Sequence, residues 1–424
     1  MSRFSLSFLL LLHLSVAFTQ SRRAVLPIIS QAGQARWASS IQAVPLDDPT
    51  PFLAYFLKWE GDVDELMIRF SPDGEQWSDW QLMPRDEHSP ELPVSTLGIT
   101  AATDRFFQVK GNAGTGNSYR LECHFYSPGP SDATREQPVT AGQGRSCDDL
   151  MPAVIRRTEW CPNGDCAEHP DPAFAPVTHL VIHHSAGTNV ASDWAAIVRA
   201  IWDLHVNGNG WSDIGYNWLI DPDGRIYEGR SNDAIGAHFC AKNTGTIGVC
   251  VMGDFTNEPP KGAAVESLVD LLSWKACSYD IDPLGETYHA SSAEILPNII
   301  GHRDGCSTAC PGDMFYPLLP AVRDAVATGP PTAVRQKEQR IELKVFPNPS
   351  HGTFQLELSE DFPQECYLNI YDLLGRRISG PLKLQNGSAE TQLVQLPKDL
   401  SSGNYRLVLR DQNRIIGIKG LKVF

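Results

Sequence analysis

Apolar and polar positions alternate with two different periods along this chain, and the changes of period divide it into regions. Between residues 24 and 126 the period is two. Leu66, Ile68 and Phe70 alternate with Met67 and Arg69 ahead of the turn Ser71-Pro72-Asp73-Gly74, and Arg105-Phe-Phe-Gln-Val-Lys110 and Tyr119-Arg-Leu-Glu-Cys-His-Phe-Tyr126 repeat the pattern. Alternation broken by turn residues describes strands with one buried face, so the region is predicted to be a β-sandwich. Trp77, Trp80 and Phe107 within it can serve either as core aromatics or as a carbohydrate platform. Residues 127–146, rich in Pro, Gly, Ser and Thr, read as a linker.

From residue 147 to 328 the two periods are interleaved. Leu180-Val-Ile182 is a compact apolar strand, and after Ser192, a candidate N-cap, Trp194, Ile197, Val198, Ile201 and Trp202 recur at helical spacing as far as Asn207-Gly208. Residues 216–220 and 225–228 predict strands around the turn Asp221-Pro-Asp-Gly224, and residues 246–252 predict another. Val265, Leu268, Val269 and Leu272 mark a second amphipathic helix. Interleaving of this kind predicts an α/β domain, a mixed β-sheet flanked by helices. A second linker at 329–340 leads to residues 341–424, where short alternating strands and Gly and Asn turns predict a small all-β module without a cluster of catalytic residue types.

A length of 424 residues exceeds what one core organises, which agrees with two or three domains. The formal net charge of -15 argues against a general nucleic-acid binder, because neutralising phosphates needs a basic surface. One basic residue, Arg3, precedes a run from Leu6 to Phe18 that only Ser7, His13 and Ser15 interrupt. That run is too short for a membrane span, and residues 1–20 are predicted to be a signal peptide. The mature chain should therefore be secreted or at the cell surface, with no transmembrane segment. Ten Cys suit an exported chain, where disulfides persist.

The candidate chemistry lies in the middle region. A catalytic zinc site takes three protein ligands and leaves one position open, and imidazole nitrogen and thiolate sulfur suit Zn²⁺. His183 ends the Leu180 strand, and Gly301-His-Arg-Asp-Gly-Cys-Ser-Thr-Ala-Cys-Pro-Gly312 holds His302 and Cys310 in one loop. Taken singly, a strand-end His is more often structural, and a lone Cys in an exported chain is more often half of a disulfide.

Further stretches accompany these residues: Arg157-Thr-Glu-Trp160, Leu180-Val-Ile-His-His-Ser-Ala-Gly187, Gly210-Trp-Ser-Asp-Ile-Gly-Tyr-Asn217, Asp223-Gly-Arg-Ile-Tyr-Glu-Gly-Arg230, Gly236-Ala-His238, Asn243-Thr-Gly-Thr-Ile-Gly248 and Gly253-Asp254. In this order, over residues 150–325, the chain resembles the peptidoglycan recognition proteins and the zinc-dependent N-acetylmuramoyl-L-alanine amidases that share their fold. The resemblance implies that His183, His302 and Cys310 bind zinc and that Tyr216 stands beside the metal. It implies hydrolysis of the amide between N-acetylmuramic acid and L-alanine in peptidoglycan. Thr308 and Glu228 are candidates to assist catalysis, and His205, Trp211, Arg230, His238 and Asn243 match groove positions near the substrate. His184 should face away from the metal, because successive strand residues alternate. Ser231-Asn232 replaces a dipeptide that is often Gly-Trp in the family, which leaves the preferred third stem-peptide residue open. Receptor members bind peptidoglycan without cutting it and typically lack a ligand; this chain keeps all three, which favours an enzyme over a binding protein with a structural zinc.

With Cys310 as a ligand nine cysteines remain, so at least one is unpaired or pairs between chains. Cys161 with Cys166 and Cys240 with Cys306 are possible pairs. Finally, Val345-Phe-Pro-Asn-Pro349, Ile370-Tyr-Asp-Leu-Leu-Gly-Arg376, Ser402-Gly-Asn-Tyr405 and Lys422-Val-Phe424 resemble the type A sorting domain of the type nine secretion system. That resemblance implies passage through the periplasm and the outer membrane by that machinery.

Overall fold

A computed structural model describes residues 22–29, 36–61, 63–86, 88, 92–113, 120–131, 147–328, 343–358, 366–372, 377–384, 392–397, 400–410 and 415–424. The expected signal peptide, most of the first linker and the second linker lie outside these residues.

The N-terminal region contains β1 (Arg22–Ile29), β2 (Arg36–Ala38), β3 (Gln42–Ala43), β4 (Phe52–Glu60), β5 (Val63–Ser71), β6 (Gln81–Leu82), β7 (Gly98–Ala101), β8 (Phe106–Ala113) and β9 (Arg120–Ser127). They form two antiparallel sheets, ordered β1-β9-β4-β7 and β2-β8-β5-β6, with β3 also against β8. Leu53, Tyr55 and Leu57 of β4 share one core with Ile68 and Phe70 of β5, Phe107 and Val109 of β8, and Leu121, Cys123 and Phe125 of β9. Alternation turns the intervening residues of β4 to the other face. That face is also apolar and also buried: Phe52, Ala54 and Tyr126 pack with Trp160, Trp194, Ile197 and Ile201 of the central region, and Phe56 packs with Leu204. Phe107 is a core residue, whereas Trp77 and Trp80 flank the Arg69 guanidinium, each ring centroid 4.6 Å from its carbon.

The central region contains β10 (Val154–Ile155), α1 (Arg157–Trp160), β11 (His179–His184), α2 (Trp194–Asp203), β12 (Trp218–Ile220), β13 (Ile226–Glu228), β14 (Thr246–Val251), α3 (Gly262–Ser278), β15 (Glu286–His289), β16 (Glu294–Pro297), β17 (Ile299–Gly301) and α4 (Leu319–Thr328). Its sheet runs β10-β13-β12-β14-β11-β17 and is mixed, because β12 and β13 form an antiparallel hairpin within otherwise parallel neighbours. Leu268, Leu271 and Leu272 of α3 and Leu319 and Val322 of α4 bury one face. Ala196, Ile197, Ala200 and Ile201 of α2 pack on the other, against Leu219 and Cys250. The N-cap of α2 is Asp193 and not Ser192: its Oδ1 accepts the Ala196 amide at 2.9 Å, closing the first turn. The start of the expected linker is anchored, since the carbonyls of Pro128 and Gly129 accept from the buried Arg199 guanidinium.

Disulfides join Cys147 to Cys277, Cys161 to Cys166 and Cys240 to Cys306. The first, between residues 130 apart, had no local signal. Cys310 is buried and lies outside these pairs. The C-terminal region is rich in strands: β18 (Leu343–Phe346), β19 (Thr353–Leu358), β20 (Cys366–Asp372), β21 (Arg377–Leu384), β22 (Gln392–Gln395), β23 (Gly403–Arg410) and β24 (Ile415–Val423). They make the sheets β18-β19-β22 and β21-β20-β23-β24 around Phe354, Leu356, Leu368, Ile370 and Leu407. Among the described residues no helix is long and apolar enough to cross a membrane.

Candidate metal centre

All six residues of β11 are buried between two parallel neighbours, β14 and β17, so side chains leaving its end start from a rigid platform. His183 and His184 leave it on opposite faces. His302 follows β17, opening a short 3-10 turn through Asp304. That turn is fastened at both ends: Asp304 accepts the Gly301 amide at 2.8 Å and the Tyr316 hydroxyl. The loop then returns, the Arg303 amide donating to the Cys310 carbonyl at 3.1 Å. Thr308 Oγ1 accepts the Cys310 amide, also at 3.1 Å, so Thr308 shapes the turn that delivers the thiol. Cys310 Sγ comes to rest 3.7 Å from His183 Nδ1 and accepts the His184 amide at 3.3 Å.

His183, His302 and Cys310 are thus brought together, and a fourth residue stands with them. One ligand atom each of His88, His183, His302 and Cys310 lie within 4.8 Å of one another. A tetrahedral zinc with bonds of about 2.0 to 2.3 Å spaces its donors roughly 3.3 to 3.8 Å apart, which the sulfur–nitrogen separation matches. Three imidazoles and one thiol are donors that zinc favours. Burial, followed by the neighbouring His302, His238, His88 and His184, holds the His183 pKa well below the ordinary value. The resulting neutral imidazole is the form a metal ligand needs.

Behind His183 a hydrogen-bonded chain orients the ring. Its Nε2 lies 3.0 Å from His238 Nδ1, and His238 Nε2 lies 3.2 Å from Thr246 Oγ1. Asn243 Oδ1 accepts the amides of His238 and Phe239 at 2.7 and 2.8 Å. Of the residues expected near the substrate, His238 thus supports His183, and Asn243 holds the backbone that carries His238. Burial, then Arg230, pushes the His238 pKa down to about 3.

Tyr216 is buried with its ring centroid 5.3 Å from that of His183 and its hydroxyl 3.1 Å from His88 Nε2. His205 packs edge-on against Tyr216 at 5.4 Å and tilted against the half-buried Trp211 at 4.7 Å, and its Nδ1 accepts the Gly215 amide. The Arg230 guanidinium donates to the carbonyls of Ile214 and Ile235, which fixes the backbone carrying Tyr216. Glu228 accepts from Arg156 at 3.0 Å and is not among the four clustered donors. His184 is buried away from them, its Nδ1 accepting the Phe255 amide at 3.3 Å.

His88 is the residue that sequence reasoning missed. It sits in the polar stretch Arg85-Asp-Glu-His-Ser-Pro90, which has no apolar period and more than ninety residues between it and His183. The only local signal was Asp86 two positions before it, which means little until the fold shows what the imidazole faces.

Residues 173–313 match the family described as N-acetylmuramoyl-L-alanine amidase, and residues 344–420 match the secretion system C-terminal sorting domain. Peptidoglycan-recognition protein SC2 of Drosophila simulans is 32% identical over 167 residues, 38% of this chain and 82% of that protein. Peptidoglycan-recognition protein 1 of Holotrichia diomphalia is 29% identical over 174 residues, 41% of this chain and 81% of that protein. The N-acetylmuramoyl-L-alanine amidase of Sus scrofa is 31% identical over 172 residues, which cover 40% of this chain but only 27% of that larger protein. From the ordered motifs, the clustered donors and these similarities, we conclude that the chain belongs to the family of peptidoglycan recognition proteins and N-acetylmuramoyl-L-alanine amidases and carries a secretion sorting domain at its C-terminal end.

Proposed function

We propose that this protein is an exported, zinc-dependent N-acetylmuramoyl-L-alanine amidase that cuts the link between N-acetylmuramic acid and L-alanine in peptidoglycan. The observation that carries the reading is the cluster of His183 and His302, at the ends of adjacent parallel strands, with Cys310 from the returning loop, beside Tyr216. Zinc held there would lower the pKa of a water to about 7 and polarise the lactyl carbonyl. The chain's own residues do the rest. His183 and His302 are aimed by the strands, His238 holds the His183 ring, and Thr308 holds the turn that presents Cys310. The Tyr216 phenol is the donor placed to steady the carbonyl oxygen as charge builds on it. With Glu228 engaged by Arg156, Tyr216 is the better candidate to manage the proton that reaches the L-alanine nitrogen. The facing sheets of residues 24–126 support a β-sandwich, and residues 341–424 support delivery to the surface by the type nine secretion machinery after removal of a signal peptide at 1–20.

A second reading, a peptidoglycan receptor with a structural zinc, is favoured by one observation: His88 raises the protein donors to four, as in closed structural sites. Purified sacculi incubated with the zinc-loaded protein and with a His88→Ala variant separate the two. Free stem peptides released by either protein support the amidase; binding without release by both leaves the receptor.

A further inference from the structure

The N-terminal β-region reaches into the amidase centre, although no step above requires it there. Asp86 and His88 lie between β6 and β7, and the Asp86 amide donates to the Val94 carbonyl at 2.9 Å, so the pair is held by main chain. Asp86 Oδ1 lies 3.2 Å from His88 Nδ1, while its Oδ2 accepts from Asn209 of the central region at 2.8 Å. With Nδ1 engaged, Nε2 is turned towards the cluster, and the His88 ring stacks on His302 at 5.3 Å with an 11° tilt. A carboxylate behind an imidazole is the arrangement that orients metal-ligating histidines. The docking that sets this position is built like a domain core. Phe56 packs on Leu204, Arg23 pairs with Asp203, and a Cβ at Gly208 would stand 3.1 Å from the Phe56 ring.

We propose that His88 is a displaceable fourth metal ligand by which the N-terminal β-region keeps the amidase latent. A catalytic zinc site leaves one corner for water, and four protein donors close it. With Nδ1 given to Asp86, the single lone pair of His88 Nε2 serves either the open corner or the Tyr216 hydroxyl 3.1 Å away, and in either use His88 stands between the cluster and the donor meant for the substrate carbonyl. Turnover then requires His88 to leave, and peptidoglycan or a change at the domain interface must supply the difference between the two arrangements. This inference rests on the amidase reading, and its test separates the two.

The test uses the full chain with cobalt in place of zinc, and azide as a probe of an open corner. In the wild-type protein, azide leaves the visible cobalt bands unchanged. In His88→Ala they shift saturably, and stem-peptide release from sacculi by the zinc form rises about tenfold or more, in proportion to the competent fraction. Asp86→Asn, which keeps the imidazole and weakens its support, binds azide with an apparent affinity between the two. Azide shifting the wild-type bands as readily as those of His88→Ala overturns the proposal. X-ray absorption on the wild-type zinc form is independent of how the variants fold: three imidazoles with one sulfur support it, and two imidazoles with one sulfur and one oxygen overturn it. Azide behaviour as expected with no peptide release from any form removes the amidase reading and leaves the plug.

Discussion

The central and N-terminal regions bring imidazoles to the same point by different means. In the central region His183 and His302 stand at the ends of β11 and β17, paired strands whose neighbours are all buried, and Cys310 returns to them through a loop pinned by Thr308 and Arg303. Those three positions are as durable as the core itself. His88 instead owes its position to a docked surface: Phe56, Arg23 and Asn209 decide whether it meets the cluster. A ligand set built into one core cannot be lost without unfolding, whereas one supplied across an interface can be withdrawn while both partners stay folded.

The sharpest way to break that contrast is at the interface. Phe56→Ala removes a ring that is buried on Leu204 and stacked on His124 at 4.5 Å, and should cost about 3 to 5 kcal/mol. The loss should appear in calorimetry as an early transition of the N-terminal region, with the melting of the central region little changed; a single transition lowered as a whole would show that the regions do not separate. Next comes the permanent set: Cys310→Ser should weaken zinc binding about a hundredfold or more, measured by competition with a chelator, since each of four ligands carries roughly a quarter of the binding energy. His238→Ala, which removes only the partner of His183 Nε2, should cost about tenfold to a hundredfold in zinc affinity. An affinity unchanged by that substitution would assign His238 to packing alone.

The smallest expected effect is a pH dependence at the interface. Burial raises the Asp203 pKa to about 6 from an ordinary 3.8, with Arg23 opposing it. A raised carboxyl pKa means the folded state holds the proton more tightly, so this contribution is complete below pH 4 and lost as pH rises through 6. Denaturant unfolding should show stability from this group falling by on the order of 1 kcal/mol between those pH values, and Asp203→Asn should flatten the slope.

Period-two and helical patterns placed strands that overlap 63–71, 106–113, 120–127 and 246–251, and helices that overlap 194–203 and 262–278. Those features depend on neighbours a few residues away, which a sequence displays directly. The ordered motifs brought His183, Tyr216, His302 and Cys310 to notice for the same reason, since each sits in a short stretch on which the family resemblance rests. The capping residue of α2 was misplaced by one position because Ser192 and Asp193 both cap well, and only the backbone direction chooses between them.

What tertiary structure alone decided are the contacts between distant segments: the Cys147–Cys277 bridge, the chain from His183 through His238 to Thr246, and His88 meeting His302. Donor types and their order are written along the chain, and so the sequence by itself singled out His183, His302 and Cys310 among the clustered donors. The number of donors that meet at the cluster depends on how two apolar surfaces, the outer face of β4 and β9 and the side of α2 turned away from its own sheet, pack against each other. That packing is a sum over many residues far apart in sequence, and no local period reports it.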